Sequence, residues 1–317
     1  MSNQDTTSAM VYHESTKLNY INLDNKPSLY TSYPSGPVIK LPSDLSYPEG
    51  STLAALEPPN VGGGGALDLK TLAQLLFLSA GVIRKANVPS AGEVHYRAAA
   101  SAGALYPIET YVVCRDIPGI EAGVYHFAPL EFSLSLLRRG DFRAELASAS
   151  GGDESITHAP VSFVYSSVFW RSAWKYRIRG YRYCFWDNGT IIANLLSAAT
   201  SSGLSARIVT GFVDERVDRL VGIDGQQEGA MCIAPVGHVE ETSLVSGSPY
   251  IPDISCQYAF SYPDQVDYPE INQAHGSGSL TSESQVTAWR GESPAPLQAK
   301  QEVYYPIKPT VSMRSSS

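Results

Sequence analysis

Residues 96–111 read YRAAASAGALYPIETY: an unbroken run of small side chains from Ala98 to Ala104, then Leu105-Tyr106-Pro107, then the apolar start of a strand. Small residues in this place have two readings. Composition alone favours a tight turn feeding a strand. The other reading is a loop that lets main chain approach a flat ligand such as a flavin ring, whose edge is met by backbone N–H while one face stays open. Ser101, Ala102, Gly103 and Ala104 would then line the ligand, with the Ser101 hydroxyl as an added partner.

Outward from this stretch the chain alternates strand and helix signals. Upstream, Asp68 is an N-cap for Leu69, Leu72, Leu75 and Leu76 at helical spacing, and Gly81 offers a stop. Downstream, 109–115, 123–127 and 132–137 are β-branched and aromatic runs separated by turn residues, and 160–168 is a further strand. Residues 171–186 carry charge and aromatics at helical spacing, interrupted by Gly180. A helix through 191–203 leads to the strand-like 206–212, a short helix at 214–223 and a strand at 229–236. This order predicts an α+β domain over 66–238, a mixed β-sheet flanked by helices. Residues 1–65 and 239–317 are Pro-, Gly- and Ser-rich and read as arms or linkers, with Gly62–Gly65 a joint. No GxGxxG or GxxxxGK[ST] follows a strand, so no dinucleotide or P-loop site is expected.

Charge and composition narrow the function. Lys plus Arg is 23 against 31 for Asp plus Glu, a net −8, which does not suit a nucleic-acid partner. No run of about 18 apolar residues is present to span a membrane, and the first residues lack a signal-peptide pattern, so a cytoplasmic protein is expected. The cysteines form no CxxC pair and the histidines no HExxH, so no metal site is proposed. If 171–182 is one helix, Arg171, Lys175, Arg179 and Arg182 share a face as a basic stripe. A solvated face is the plain account of Arg179 and Arg182. Lys175 and Tyr176 differ, because Phe169 and Trp174 nearby would desolvate the amine toward general-base range.

SAGALYPIETYVV, WKYRIRGYRYCFWDNGTIIANLLSAA and the N-terminal YHESTK together resemble the SagB-type (ThcOx-like) dehydrogenases of the FMN-dependent nitroreductase superfamily. The resemblance implies a nitroreductase-like fold, FMN at a dimer interface, and oxidation of peptide azolines to azoles or a related dehydrogenation of a small-molecule or peptide substrate. It assigns catalysis to Lys175 and Tyr176, has Ser101–Ala104 line the flavin, and has Tyr106 and Pro107 fix the loop. One departure stands out: the Arg-rich segment that precedes the first core helix in nitroreductases, and holds the FMN phosphate, is replaced here by LEPPNVGGGGA. Arg97 and Arg207, which flank the flavin-lining segments, are the first candidates to replace it. The terminal Met313-Arg314-Ser315-Ser316-Ser317 resembles the start of such an Arg-rich segment, so the first module of a tandem protein, or a degenerate member, is expected, with a plain tail as the alternative; the resemblance implies a homodimer or a pairing with a second nitroreductase-like module.

Overall fold

The computed structural model describes residues 21–33, 36–46, 50–56, 66–89, 92–239, 251, 254 and 265–291. YHESTK, Gly62–Gly65 and the terminal MRSSS lie outside the described residues. In chain order the elements are β1 (Val38–Lys40), α1 (Leu69–Ala80), β2 (Val82–Val88), β3 (Gly92–Arg97), β4 (Ile108–Cys114), β5 (Gly123–Ala128) and β6 (Ser133–Arg139). There follow α2 (Arg143–Ala149), α3 (Glu154–His158), β7 (Val161–Val168), α4 (Phe169–Tyr176), α5 (Gly180–Ser201), α6 (Asp214–Val221), β8 (Glu228–Val236), α7 (Pro269–Gly278) and α8 (Glu283–Gly291).

Six strands form one sheet in the order β1-β6-β5-β4-β7-β8, and every ladder in it is antiparallel. The α+β class with a sheet flanked by helices is as expected. The parallel component of a mixed sheet is absent from this sheet among the described residues, because hairpins join β4 to β5 and β5 to β6, and β7 returns beside β4 in the opposite direction. β2 and β3 make a separate ribbon.

The sheet is covered on both faces, and β4 shows why its residues are apolar throughout. Ile108, Val112 and Cys114 point to the layer of α1 and α5, with Leu72, Leu75, Leu76, Ile191 and Leu195. Tyr111 and Val113 point to the opposite layer, with Leu146 of α2, Ile156 of α3, and Val217 and Leu220 of α6. Successive strand residues face opposite sides, so a central strand covered twice loses its polar alternation. α1 starts and stops where its sequence directs: Asp68 accepts from the Thr71 N–H at 2.8 Å and the Gly81 N–H donates to Phe77 O. A Cβ on residue 81 would stand 2.7 Å from that same oxygen, which is why the stop is glycine.

Within residues 239–317, expected as a linker or C-terminal arm, α7 and α8 pack on the domain through the buried Ile271 and Val286, and Arg290 donates to Ser150 O at 2.5 Å. Each helix buries only one apolar residue, so neither shows helical periodicity. Residues 171–182 are not one helix. α4 ends at Tyr176, Arg177 takes φ 54° and a 3-10 turn follows to Arg179, so the four cations do not share a face. Arg171 is completely buried, and Arg179 and Arg182 are exposed. Gly180 lets α5 begin against α4, since a Cβ there would meet the Ser172 backbone at 2.7 Å.

Candidate active site

The loop between β3 and β4 turns on left-handed backbone. Gly103 has φ 67°, Ala104 φ 53° and Tyr106 φ 46°, a conformation that costs a side-chain-bearing residue free energy and marks an imposed shape. What imposes it is a clamp from α5. Asp187 accepts from the Ser101 hydroxyl at 2.5 Å and from the Ala102 N–H at 3.1 Å, while Ser101 Oγ accepts from the Tyr106 N–H at 2.8 Å. Thr190, one turn along α5, donates to Ala100 O at 2.9 Å. Leu105, Tyr106 and Pro107 are buried beneath, and Gly103 is left exposed at the crest.

The second wall comes from the end of α4. The point where a Cβ on residue 103 would stand lies 2.8 Å from Tyr176 Oη and 3.1 Å from Lys175 Nζ. The bare main chain of Gly103 therefore meets the two predicted catalytic groups directly, and the structure brings the loop and the Lys175–Tyr176 pair together. Lys175 Nζ lies 5.5 Å from the centre of the Tyr176 ring, which is met edge-on by Tyr183 at 4.4 Å. Burial raises the Tyr176 phenol above its ordinary pKa, and Tyr183 and Asp187 raise it further. Burial also raises Asp187, against the pull of its two donors. The aromatic neighbours expected to desolvate Lys175 face elsewhere: Phe169 packs on Tyr181 and His275, and Trp174 donates to Asn22 O at 2.9 Å.

Of the two arginines expected to clamp a phosphate, Arg97 lines the cleft beside Ser101 and Asp187, and Arg207 lies away from it. Arg97 is buried, donates to Leu29 O at 2.8 Å and lies between the rings of Tyr30 and Tyr106, 5.1 Å and 4.7 Å from their centres. Arg207 is exposed, and its N–H pairs with Pro235 O. Pro235 is opposite Ser162, five residues along β7 from the Ser167 that pairs with Ile108, so Arg207 is on the order of 17 Å from the loop along the sheet at about 3.4 Å per residue. The exposed cations next to the site in the chain are Arg177, Arg179 and Arg182.

Behind the loop lies a buried polar network with no signal in the sequence beyond its residue types. Arg171 of α4 is ion-paired with Glu109 of β4 and donates to Tyr106 O at 3.2 Å, to Ser28 O at 2.8 Å and to Thr31 Oγ1 at 2.9 Å. Thr31 donates to Glu109 at 2.8 Å, and His126 Nε2 shares a hydrogen bond with the other Glu109 oxygen at 2.8 Å. Burial alone would raise the Glu109 carboxyl, but Arg171, the His126 hydrogen bond and Arg97 outweigh it and hold it far below the usual carboxylate range. One guanidinium thus ties together α4, the loop and the N-terminal arm. In the sequence Arg171 reads as part of a basic face because its acceptors lie far away along the chain, and Asp187 reads only as the residue before a helix.

The nitroreductase family model matches residues 67–238, more than half of the chain. The chain belongs to the nitroreductase family. Among curated nitroreductase-like relatives, MJ1384 of Methanocaldococcus jannaschii, which carries the nitroreductase name, is 32% identical over 171 residues, 54% of this chain and 81% of that protein. The microcin B17-processing protein McbC of Escherichia coli is 30% identical over 55% of this chain and 64% of its own length. The trifolitoxin-processing protein TfxB of Rhizobium leguminosarum is 34% identical over 52% of this chain and 45% of its own. A solved Anabaena variabilis structure named as a nitroreductase superposes with a TM-score of 0.64 at 27% identity, covering 86% of this chain and 55% of that one. The chain therefore spans between about half and two thirds of the length of McbC, TfxB and the Anabaena protein. Family membership supports an oxidoreductase enzyme. Among the described residues no helix is long and apolar enough to cross a membrane and no cluster of three metal-ligating side chains occurs.

Proposed function

We propose that this chain is an FMN-dependent dehydrogenase of the SagB type that oxidises a peptide-derived or carrier-bound azoline to the azole. The observation that carries the reading is the approach of Lys175 Nζ and Tyr176 Oη to the bare main chain of Gly103. The names of McbC, a microcin B17-processing protein, and TfxB, a trifolitoxin-processing protein, support it. The residues suit a flavin on one side of the site: Ser101–Ala104 offer small side chains and an exposed glycine for the edge of a flat ring, and Tyr106 and Pro107 support them from below. When bound, FMN supplies the acceptor for the hydride. A neutral Lys175 amine or a Tyr176 phenolate takes the proton from the ring carbon of the substrate, so that one C–H hydride and one proton leave together and the heterocycle becomes aromatic. The clamp from Asp187 holds the loop still while this happens.

The phosphate side needs more cations than the described residues bring to the loop: Arg207 is remote, and Arg97 in the cleft offers a buried Nε without a hydrogen-bond partner among them. We infer that its cations come from a second copy or a second nitroreductase-like module, with Arg177, Arg179 and Arg182 as the alternative from this chain. Incubating the purified protein with a thiazoline-containing peptide and following the loss of two hydrogens by mass spectrometry tests the reading. Lys175→Ala should lower turnover roughly 10²-fold or more with flavin content unchanged; full activity in that variant refutes the assignment. A protein that neither copurifies with nor binds FMN favours the second reading, a non-catalytic module that completes the interface of a competent one, to which the distance of Arg207 from the loop points.

A further inference from the structure

The residue that joins the two walls of the site is Asp187. Its carboxylate receives the Ser101 hydroxyl and the Ala102 N–H, as an ionised acceptor does, and Ser101 passes the restraint on to Tyr106. It is 5% exposed on a 22-residue helix, so its position is fixed by α5 and not by the loop. The groups that face it are Ser101 and Ala102 of the loop, Tyr176 of α4 and Cys184 of α5, with Arg97 of β3 lining the same cleft. Tyr176 in turn faces Asp187, Tyr183, Lys175 and Gly103. We propose that Asp187 is the positioning residue of this site: it holds the Ser101–Ala104 turn in the register in which Gly103 leaves room for Lys175 and Tyr176, and it supplies the fixed negative charge that Tyr176 faces. This rests on the proposed function only in taking that pair as the acid/base group.

The geometry separates two effects that a purely structural carboxylate would not separate. Removing the charge while keeping the shape, in Asp187→Asn, should let the Tyr176 phenol ionise at lower pH, because a negative charge opposing the phenolate is gone. Removing the hydroxyl while keeping the charge, in Ser101→Ala, should leave that titration in place and loosen the turn. Both should speed amide hydrogen exchange at Ala102 or Tyr106, by roughly threefold to tenfold for one hydrogen bond lost.

The experiment is an absorbance titration of tyrosine in the wild type, Asp187→Asn and Ser101→Ala, each compared with its Tyr176→Phe partner so that the difference reports Tyr176 alone. Amide exchange is measured on the same proteins. Neither readout needs flavin or turnover. A Tyr176 midpoint that falls in Asp187→Asn and stays in Ser101→Ala, with faster exchange in both, supports the proposal. An unmoved midpoint in Asp187→Asn, or wild-type exchange at both amides in Ser101→Ala, overturns it. If Asp187→Asn does not fold, the exchange result in Ser101→Ala decides alone. Full turnover in Lys175→Ala would remove Lys175 as the base, and no azoline oxidation by the wild type would sink the proposed function; either result leaves these two measurements standing.

Discussion

Gly103→Ala tests the site because its effect on stability and its effect on activity can be worked separately. Residue 103 has φ 67°, and an L-residue there costs about 1–2 kcal/mol. Gly203, just past the end of α5, has φ 68° and nothing within 4 Å of the place a methyl would take, so Gly203→Ala carries the same backbone cost with no neighbour to disturb. At 103 the methyl carbon would stand 2.8 Å from Tyr176 Oη and 3.1 Å from Lys175 Nζ, where ordinary contact begins at 3.4 Å. The hydroxyl must therefore retreat by about 0.6 Å and the amine by about 0.3 Å. Both are the ends of partly exposed side chains and can move, so the two variants should lose the same stability to within about 0.5 kcal/mol in urea unfolding. Activity should not match: a displacement of about 1 Å in a reacting group costs about 10²-fold, so Gly103→Ala should lose on the order of 10- to 10²-fold in turnover while Gly203→Ala loses little. Equal turnover in the two variants would refute the placement of Lys175 and Tyr176 against the loop.

Arg171→Ala leaves Glu109 buried with its main counter-charge gone and should cost about 3–5 kcal/mol, read as a lowered urea midpoint; a loss under about 1 kcal/mol would contradict the network. Asp218, buried on α6 and accepting from the Ala230 N–H, is pushed by burial from 3.8 to about 7. Between those values the folded state holds a proton that the unfolded state has lost, so stability falls as pH rises across this window. Asp218→Asn should flatten that fall, which a series of thermal melts spanning the same window reads directly. In an FMN titration followed by fluorescence, Arg207→Ala should leave the affinity of a single protomer unchanged; a large loss without any change of oligomeric state would mean that Arg207 acts within its own chain.

Much of the fold is legible where signals are local. Asp68, the leucines of α1 and Gly81 bound a helix by capping and periodicity alone, and the small-residue run before Pro107 locates the loop. The Lys175–Tyr176 pair comes from motif resemblance, and the structure adds only that it reaches the loop. What sequence does not supply is partnership across distance. Glu109 and Arg171 are separated by 62 positions and look like two surface charges until β4 and α4 are packed. Asp187 sits 86 positions from the serine it holds. The break at Arg177 is hidden for a different reason: nothing in WKYRIRGYR forbids a continuous helix, and the turn arises because α5 must cross close over Ser172, where only Gly180 fits.

The stretch that similarity delimits, residues 67–238, does not hold all the partners of its own buried cations. Ser28 and Thr31 supply acceptors to Arg171, Leu29 supplies one to Arg97, and Asn22 supplies one to Trp174, all from upstream of that boundary. Trimming to the family edge would take Leu29 O from Arg97, and Ser28 O and Thr31 Oγ1 from Arg171, which would keep Glu109 and Tyr106 O. Sequence kinship thus marks how far the family likeness runs, while the contacts of that stretch reach back to Asn22.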